Sequence, residues 1–322
     1  MNLQGERAVG TTLDPFAVEV IRHGLSAAAE EMSLVVVRSA RSPLLREAGD
    51  LSSAITDAEG GLVGQGRDIP VHLGAMAYTV KELLKACPAE TLREGDSLIY
   101  NLGILGGNHL NDVKVARPIF VEGRLVAWAL SLAHWPDVGG TWPGSYYAKA
   151  VDTFQEAMRI PPVPITTAAG VNRGVLEMIL HNVRDPVSCE GDLMAQIAAT
   201  QAAERRIREL CATHGTQGFV DAMARLHDLS EAEMREAIRD IPDGAYVNVY
   251  ATNEQIEWVI ADPRVRVRDV ELLSSSWYVL RRNTLDYLGS DGQWSTQQRE
   301  TYDRGNGATV LLYDPARRTV LL

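Results

Sequence analysis

Cysteine is scarce in this chain. Cys87, Cys189 and Cys211 are odd in number and far apart, which excludes a disulfide framework and leaves reduced, partly buried thiols as the expectation. Positive charge is short as well. Lys and Arg number 31 against 42 Asp and Glu, the net charge is −11, and no basic run is present to meet phosphates, so nucleic acid is excluded as a partner. The Arg205-Arg206 pair falls on a helix face among glutamates. No apolar run approaches the length of a bilayer span, which excludes a membrane helix, and Met1-Asn-Leu-Gln-Gly-Glu lacks the basic flank and apolar core of a secretion signal. The expected compartment is the cytoplasm. Internal repeats and low-complexity tracts are absent. What is present is an ordinary globular composition, 46% hydrophobic over 322 residues, with length for about two domains.

After a short opening arm, Asp14-Pro15 provides an N-cap and a first-turn proline. Val18, Ile21, Leu25, Ala28, Met32, Val35 and Ser39 then recur at three-and-four spacing, predicting one long helix that ends near Ser42-Pro43, with His23 off its stripe. Two strand-like pieces, Ser52 to Thr56 and Gly61 to Gly64, flank the turn Asp57-Ala-Glu-Gly-Gly and predict a hairpin. A helix is expected from about Ala75 to Ala86, a strand over Asp96 to Tyr100, and a strand pair, Lys114 to Val121 and Leu125 to Ala133, joined by Glu122-Gly-Arg. Helices are predicted over Gly174 to Arg184, Gly191 to Ala212, Phe219 to Arg225 and Ser230 to Asp240, the last opened by the start signal Ser230-Glu-Ala-Glu. Mixed runs without strict alternation predict an α+β main domain followed by a small β-rich segment.

The stretch Asn101-Leu-Gly-Ile-Leu-Gly-Gly-Asn-His109-Leu-Asn-Asp112 to His134-Trp-Pro-Asp137-Val-Gly-Gly140 concentrates the chemistry. Imidazoles and carboxylates sit at turn-rich ends of strand-like runs, where side chains can converge. Neutral His nitrogen and Asp oxygen suit zinc, manganese or iron(II), and His109, Asp112 and His134 are the candidate ligands. The plain alternative is a hydrogen-bonded His-x-x-Asp loop pair. Gly106-Gly107 and Gly139-Gly140 allow positive φ and close backbone approach beside these groups. The two histidines meet only if the intervening strands are antiparallel. His72, just before the expected helix start, either turns toward this pocket or satisfies backbone groups in its turn. Glu156 and Arg159 are either an acid/base and an anion anchor, or a surface pair on one helical turn.

Six motifs occur in order: Ile69-Pro-Val-His72-Leu-Gly-Ala-Met76, Gly106-Gly-Asn-His109-Leu-Asn-Asp112-Val, Ala133-His134-Trp-Pro-Asp137-Val-Gly-Gly140, Pro143-Gly-Ser145, Arg159-Ile-Pro-Pro-Val163 and Gly191-Asp-Leu-Met-Ala-Gln196. Over residues 12 to 250 they resemble the amino-terminal half of the hydantoinase B / oxoprolinase B family, which includes N-methylhydantoinase and 5-oxoprolinase subunits and is related to the alpha subunits of acetone and acetophenone carboxylase. The resemblance implies a divalent metal (Mn, Zn or Fe) on His109, Asp112 and His134. Beside these, His72, Asp137 and Glu156 are the candidate catalytic residues. It implies a hydantoinase A / oxoprolinase A type partner that uses ATP to activate the substrate by phosphorylation, so that ATP is bound by the partner rather than this chain. The implied reaction opens a cyclic amide such as a hydantoin or 5-oxoproline; a carboxylase alpha-subunit role is the related alternative. Where many relatives carry Asn-Asp-Pro-Tyr or Asn-His-Pro-Tyr, this chain has Asn101-Leu-Gly-Ile104, so a polar wall of the pocket is expected to be lost.

The match is expected to fade near Tyr250. Val270-Glu-Leu-Leu-Ser-Ser-Ser-Trp277-Tyr-Val-Leu-Arg-Arg and Arg299-Glu-Thr-Tyr302-Asp-Arg-Gly-Asn-Gly-Ala-Thr-Val-Leu-Leu-Tyr313 resemble the start of Nudix hydrolases of the GDP-mannose pyrophosphatase type. Alternating apolar residues and the turns Leu288 to Gly292 and Asp314-Pro315 predict a strand meander over 264 to 322. The Nudix box is absent, so this segment is not expected to hydrolyse nucleoside diphosphates. The expectation is a fusion of two incomplete parts joined between Ala251 and Pro263 and ending inside a strand at Leu321-Leu322, with a non-catalytic, partner-binding remnant as the alternative to an enzyme subunit.

Overall fold

The Asp14 carboxylate accepts a hydrogen bond from the Phe16 N–H at 3.0 Å, and Pro15 fills the first turn, so α1 (Pro15–Ser39) starts where its sequence signal lies. The computed structural model describes residues 14–239 and, beyond them, 265–275, 279–288, 292–303, 312–314 and 319–321. The chain divides into two units, Met1–Glu233 and Met234–Leu322. The expected junction at Ala251 to Pro263 lies outside the described residues, as do the opening arm, Trp277-Tyr278 and Pro315.

In the first unit α1 is followed by α2 (Pro43–Arg46), β1 (Leu51–Asp57), β2 (Leu62–Gln65), α3 (Pro70–Ala86), β3 (Ser97–Tyr100), β4 (Asp112–Val121), β5 (Arg124–His134), α4 (Thr153–Glu156), β6 (Val163–Thr167), β7 (Gly170–Val171), α5 (Arg173–Leu180), α6 (Pro186–His214) and α7 (Thr216–Arg239). The strands form one sheet in the order β2-β1-β5-β4-β3-β6-β7, with antiparallel neighbours throughout. Its centre is the β4–β5 hairpin. Glu122 and Gly123, at φ 53° and 75°, supply the two left-handed residues that a tight hairpin turn with right-handed strand twist requires.

Both faces of the sheet are covered. Val113, Val115, Ile119, Ala127, Ala129 and Ala133 pack with α1, α5, α6 and α7 in one core. Ala116, Trp128, Leu130 and Leu132 point the other way and pack under Met76, Val80 and Leu83 of α3. This is the expected α+β class. In the second unit β8 (Val265–Ser275), β9 (Val279–Leu288) and β10 (Trp294–Asp303) form an antiparallel meander, and β11 (Leu312–Asp314) pairs with β12 (Thr319–Leu321). No helix of the described residues is long and apolar enough to cross a membrane.

Four helix boundaries differ from the sequence expectation, one of them the end of α5 at Leu180 rather than Arg184. α3 begins at Pro70 rather than Ala75, because a proline at the first helical position nucleates there, and this puts His72 inside the first turn. α6 begins at Pro186 with Asp185 accepting from the Ser188 N–H, repeating the Asp-Pro start of α1, so Gly191 is helix interior. Residues 216–239 form one helix: burial of Phe219, Ala222, Met223 and Leu226 overrides the start signal at Ser230.

His227 of α7 meets Asp57 of β1 at 2.9 Å, Nε2 to Oδ2. The Asp57 hydrogen bond raises the His227 pKa; burial works to raise Asp57, but bonds from His227 and from the Gly61 and Glu59 N–H groups outweigh it and leave Asp57 lowered. The raised imidazole gives stability that is full below the ordinary histidine value and lost as pH rises through the raised one. On the acid side the contribution is lost as Asp57 protonates through its lowered value. Because His227 is part-exposed, screening leaves about 0.5 kcal/mol. Urea denaturation of wild type and His227→Ala should therefore show a gap in mildly acidic solution that closes as pH rises through the raised histidine value; a gap independent of pH would contradict the assignment.

Candidate metal centre

Period-two alternation decides which side chains reach one end of the sheet. β1 starts, β5 ends and β4 starts at that end, and Asp112 pairs directly with His134 while Leu51 pairs with Ala133. Asp112 and Lys114 share the α3 face with Ala116; His134 shares it with Leu132, and Ser52 and Asp50 share it with Ala54. The first turn of α3 brings His72 over the same end. Asn111 closes the mouth of the hairpin, donating from Nδ2 to the Trp135 carbonyl at 2.9 Å and accepting the Trp135 N–H.

The centre of the cluster is Asp112. It is 0% exposed, its Oδ2 accepts from the Asn108 N–H at 3.2 Å, and its Oδ1 is buried with no hydrogen-bond partner. Around that oxygen stand His109 Nδ1 at 3.4 Å, His72 Nε2 at 3.8 Å and His134 Nδ1 at 4.0 Å. Asp50 lies beside them, 3.4 Å from His134 Nδ1 and 3.8 Å from His72 Nε2. One ligand atom each from His109, Asp112 and His134 falls within 4.8 Å of the others, and the two imidazoles meet edge to face at 4.7 Å.

A buried carboxylate oxygen without a donor is costly, and imidazoles at 3.4 to 4.0 Å are too far for good hydrogen bonds to it. The same spacing leaves room for a cation at ordinary ligand distances from nitrogen and oxygen. His109, Asp112 and His134 can therefore hold a divalent metal. Burial lowers the His134 pKa, with His109 adding to the effect, and burial lowers His72 as well, so both favour the neutral ring that ligation needs. The Ser52 hydroxyl lies 3.2 Å from His72 Nδ1, which fixes the ring and leaves Nε2 facing the carboxylates.

Asp137 and Glu156 are placed differently. Asp137 Oδ1 accepts from the Gly139 and Arg184 N–H groups, and Oδ2 from the Gly144 N–H and the Arg184 guanidinium, all at 2.9 to 3.1 Å. This geometry favours a part in holding the 137–145 loop over a part in proton transfer. Glu156 is exposed on α4, and among the described residues its carboxylate forms no ion pair with Arg159, whose guanidinium lies over the Phe154 ring. Asn101, which opens the segment where a polar pocket wall was expected to be lost, is buried; its side chain donates to the Leu110 and Met158 carbonyls and accepts the Ile160 N–H. The Gly191 to Gln196 motif is also structural in its contacts. Asp192 receives the Arg41 and Ser42 N–H groups, and Gln196 links the Trp135 indole to the Val113 and Ser131 carbonyls.

Sequence reasoning passed over Asp50 and Lys114. For Lys114 a signal was present: in Asp112-Val-Lys114-Val-Ala116, alternation puts the lysine on the face of the aspartate. It is 1% exposed, and burial pushes its pKa down to about 8 against the opposing pull of Asp112.

The sequence profile described as Hydantoinase B/oxoprolinase matches residues 14–293, past the expected junction at Ala251 to Pro263. Caprolactamase subunit beta of Pseudomonas jessenii is 33% identical over 235 residues, which are 73% of this chain and 40% of that protein. 5-oxoprolinase 1 of Arabidopsis thaliana is 32% identical over 244 residues, 71% of this chain and 19% of that one. The solved structure of ATP-dependent caprolactamase from Pseudomonas jessenii superposes with a TM-score of 0.69 at 29% identity, covering 85% of this chain and 45% of that chain. The chain thus spans about 40% of the length of the caprolactamase subunit it matches. With the profile covering most of the chain and the mixed antiparallel fold shared with a solved relative, the protein belongs to the hydantoinase B/oxoprolinase family.

Proposed function

We propose that this chain supplies the metal-binding part of a subunit that opens cyclic amides together with an ATP-using subunit of the A type. The observation that carries this reading is the orphaned Asp112 Oδ1, buried at the end of the central hairpin with three imidazole nitrogens within 4.0 Å. His109, Asp112 and His134 are the ligands in this reading, Asp50 stands where it can join them, and manganese, zinc or iron fits the donor set. A divalent cation there supplies Lewis acidity toward a carbonyl oxygen. His72, held by Ser52 and neutral through burial, is the group placed to accept or return a proton at Nε2.

Caprolactam and 5-oxoproline, named in the relatives above, are both ring amides, which supports a ring amide as the substrate class. Such amides resist hydrolysis, and phosphorylation by the partner lowers that barrier before the ring reaches this chain. The Nudix box is absent from the sequence, so no pyrophosphatase chemistry is assigned to residues 264 to 322. The test is a reconstitution with an A-type subunit, ATP and 5-oxoproline or caprolactam, following the ring-opened amino acid. Product that requires this chain, ATP and a divalent metal together supports the proposal. Product formation by the A-type subunit at an equal rate without this chain contradicts it.

A further inference from the structure

Lys114 is the one lysine of the sequence that is buried, and no carboxylate oxygen of the described residues lies within salt-bridge distance of its Nζ. Among the described residues its one hydrogen-bond acceptor is the Asp112 main-chain carbonyl, at 3.5 Å. The Tyr100 ring lies 5.7 Å away on one side, and Gly107 covers the ammonium on another: a Cβ at residue 107 would stand 2.9 Å from Nζ. Keeping a cation in such a place costs desolvation free energy that an apolar side chain of the same length would not incur. A purely packing role therefore fails to account for the lysine.

The groups that Lys114 touches are the two ends of one turn. Gly107 precedes Asn108 and His109, and the Asp112 carbonyl follows them; Asn108 N–H to Asp112 Oδ2 and Asp112 N–H to the His109 carbonyl, both at 3.2 Å, close the turn between. We propose that Lys114 is a positioning residue of the metal centre, its ammonium seated between the Asp112 carbonyl and Gly107 so that the turn presents His109 and Asp112 to a divalent cation. This inference rests on the metal reading given above.

The probe is Co(II), titrated into the full chain and followed by its visible absorption. Lys114→Met preserves length and removes the donors. Its Co(II) affinity is expected to fall about tenfold or more, with shifted absorption bands, while its thermal midpoint stays level or rises because a buried charge has gone. Gly107→Ala should weaken affinity in the same sense, and the double variant should lose no more than the weaker-binding single variant, since both act through one turn. Unchanged affinity and spectrum in Lys114→Met overturns the inference, as does a lowered midpoint with normal affinity in the folded fraction, or losses that add in the double variant. Failure of the wild-type chain to bind Co(II) overturns the metal reading instead, and the inference with it.

Discussion

Asp112→Ala is expected to weaken divalent metal binding by at least about a hundredfold, the largest single effect on the site, with no loss of fold stability. Asp112 is the one ligand candidate with complete burial, and its unpartnered Oδ1 is the point on which the imidazoles of His72, His109 and His134 converge. Removing it deletes the buried anionic donor of the three ligands and leaves two imidazoles, with Asp50 beside His134. The apo protein, by contrast, is relieved of a buried carboxylate that lacks a partner on one oxygen, so its melting temperature should stay level or rise. Calorimetric titration with zinc or manganese checks the affinity, and thermal melts in chelator check the stability. A variant that binds metal like wild type, or one that unfolds in chelator while wild type does not, would contradict this assignment.

Asp137→Ala should have the opposite profile, with a stability loss of about 3 kcal/mol and metal affinity in the folded fraction near that of wild type. Asp137 gathers three backbone N–H groups and the Arg184 guanidinium, and the same guanidinium reaches the Gly139, Gly140 and Trp142 carbonyls. Removing the carboxylate strands those donors and frees the loop that follows His134. The figure is taken at the low end for breaking a buried pair because Arg184 is 41% exposed and partly screened. Burial works to raise the Asp137 pKa, but the backbone bonds and Arg184 outweigh it and leave the value lowered. A lowered carboxylate gives stability that is full above its ordinary value and lost as pH falls through the lowered one. The gap between wild type and Asp137→Ala in urea should therefore be constant near neutrality and close in acid. A stable Asp137→Ala that has lost metal binding would return Asp137 to the chemistry.

The sequence made some of this architecture legible and hid the rest for physical reasons. The β4–β5 hairpin was readable because alternating strands joined by Glu122-Gly123 return the chain on itself, and that return alone brings His109, Asp112 and His134 together. The six ordered motifs carried the family. Asp50 was not readable, because its partners His72 and His134 are far away in the chain and meet it only through sheet order. Lys114 was readable in principle from alternation but looked like an ordinary strand lysine. Asp137, a carboxylate between His134 and two glycines, reads as reactive in the sequence; what the sequence hides is that it also accepts the Gly139, Gly144 and Arg184 N–H groups. In the sequence Glu156 and Arg159 are open between an acid/base with its anion anchor and a surface pair, and the four-residue helix leaves Glu156 exposed. The start of α3 lies ahead of the expected Ala75 because Pro70 takes the first helical position, and that shift puts His72 on the helix.

Elemental analysis of the purified chain against His109→Ala and His134→Ala tests the central claim most directly. About one equivalent of manganese, zinc or iron in wild type, and little in either variant, is the predicted result. A folded, monodisperse wild type without metal even after reconstitution, or variants that retain it in full, would contradict the metal centre.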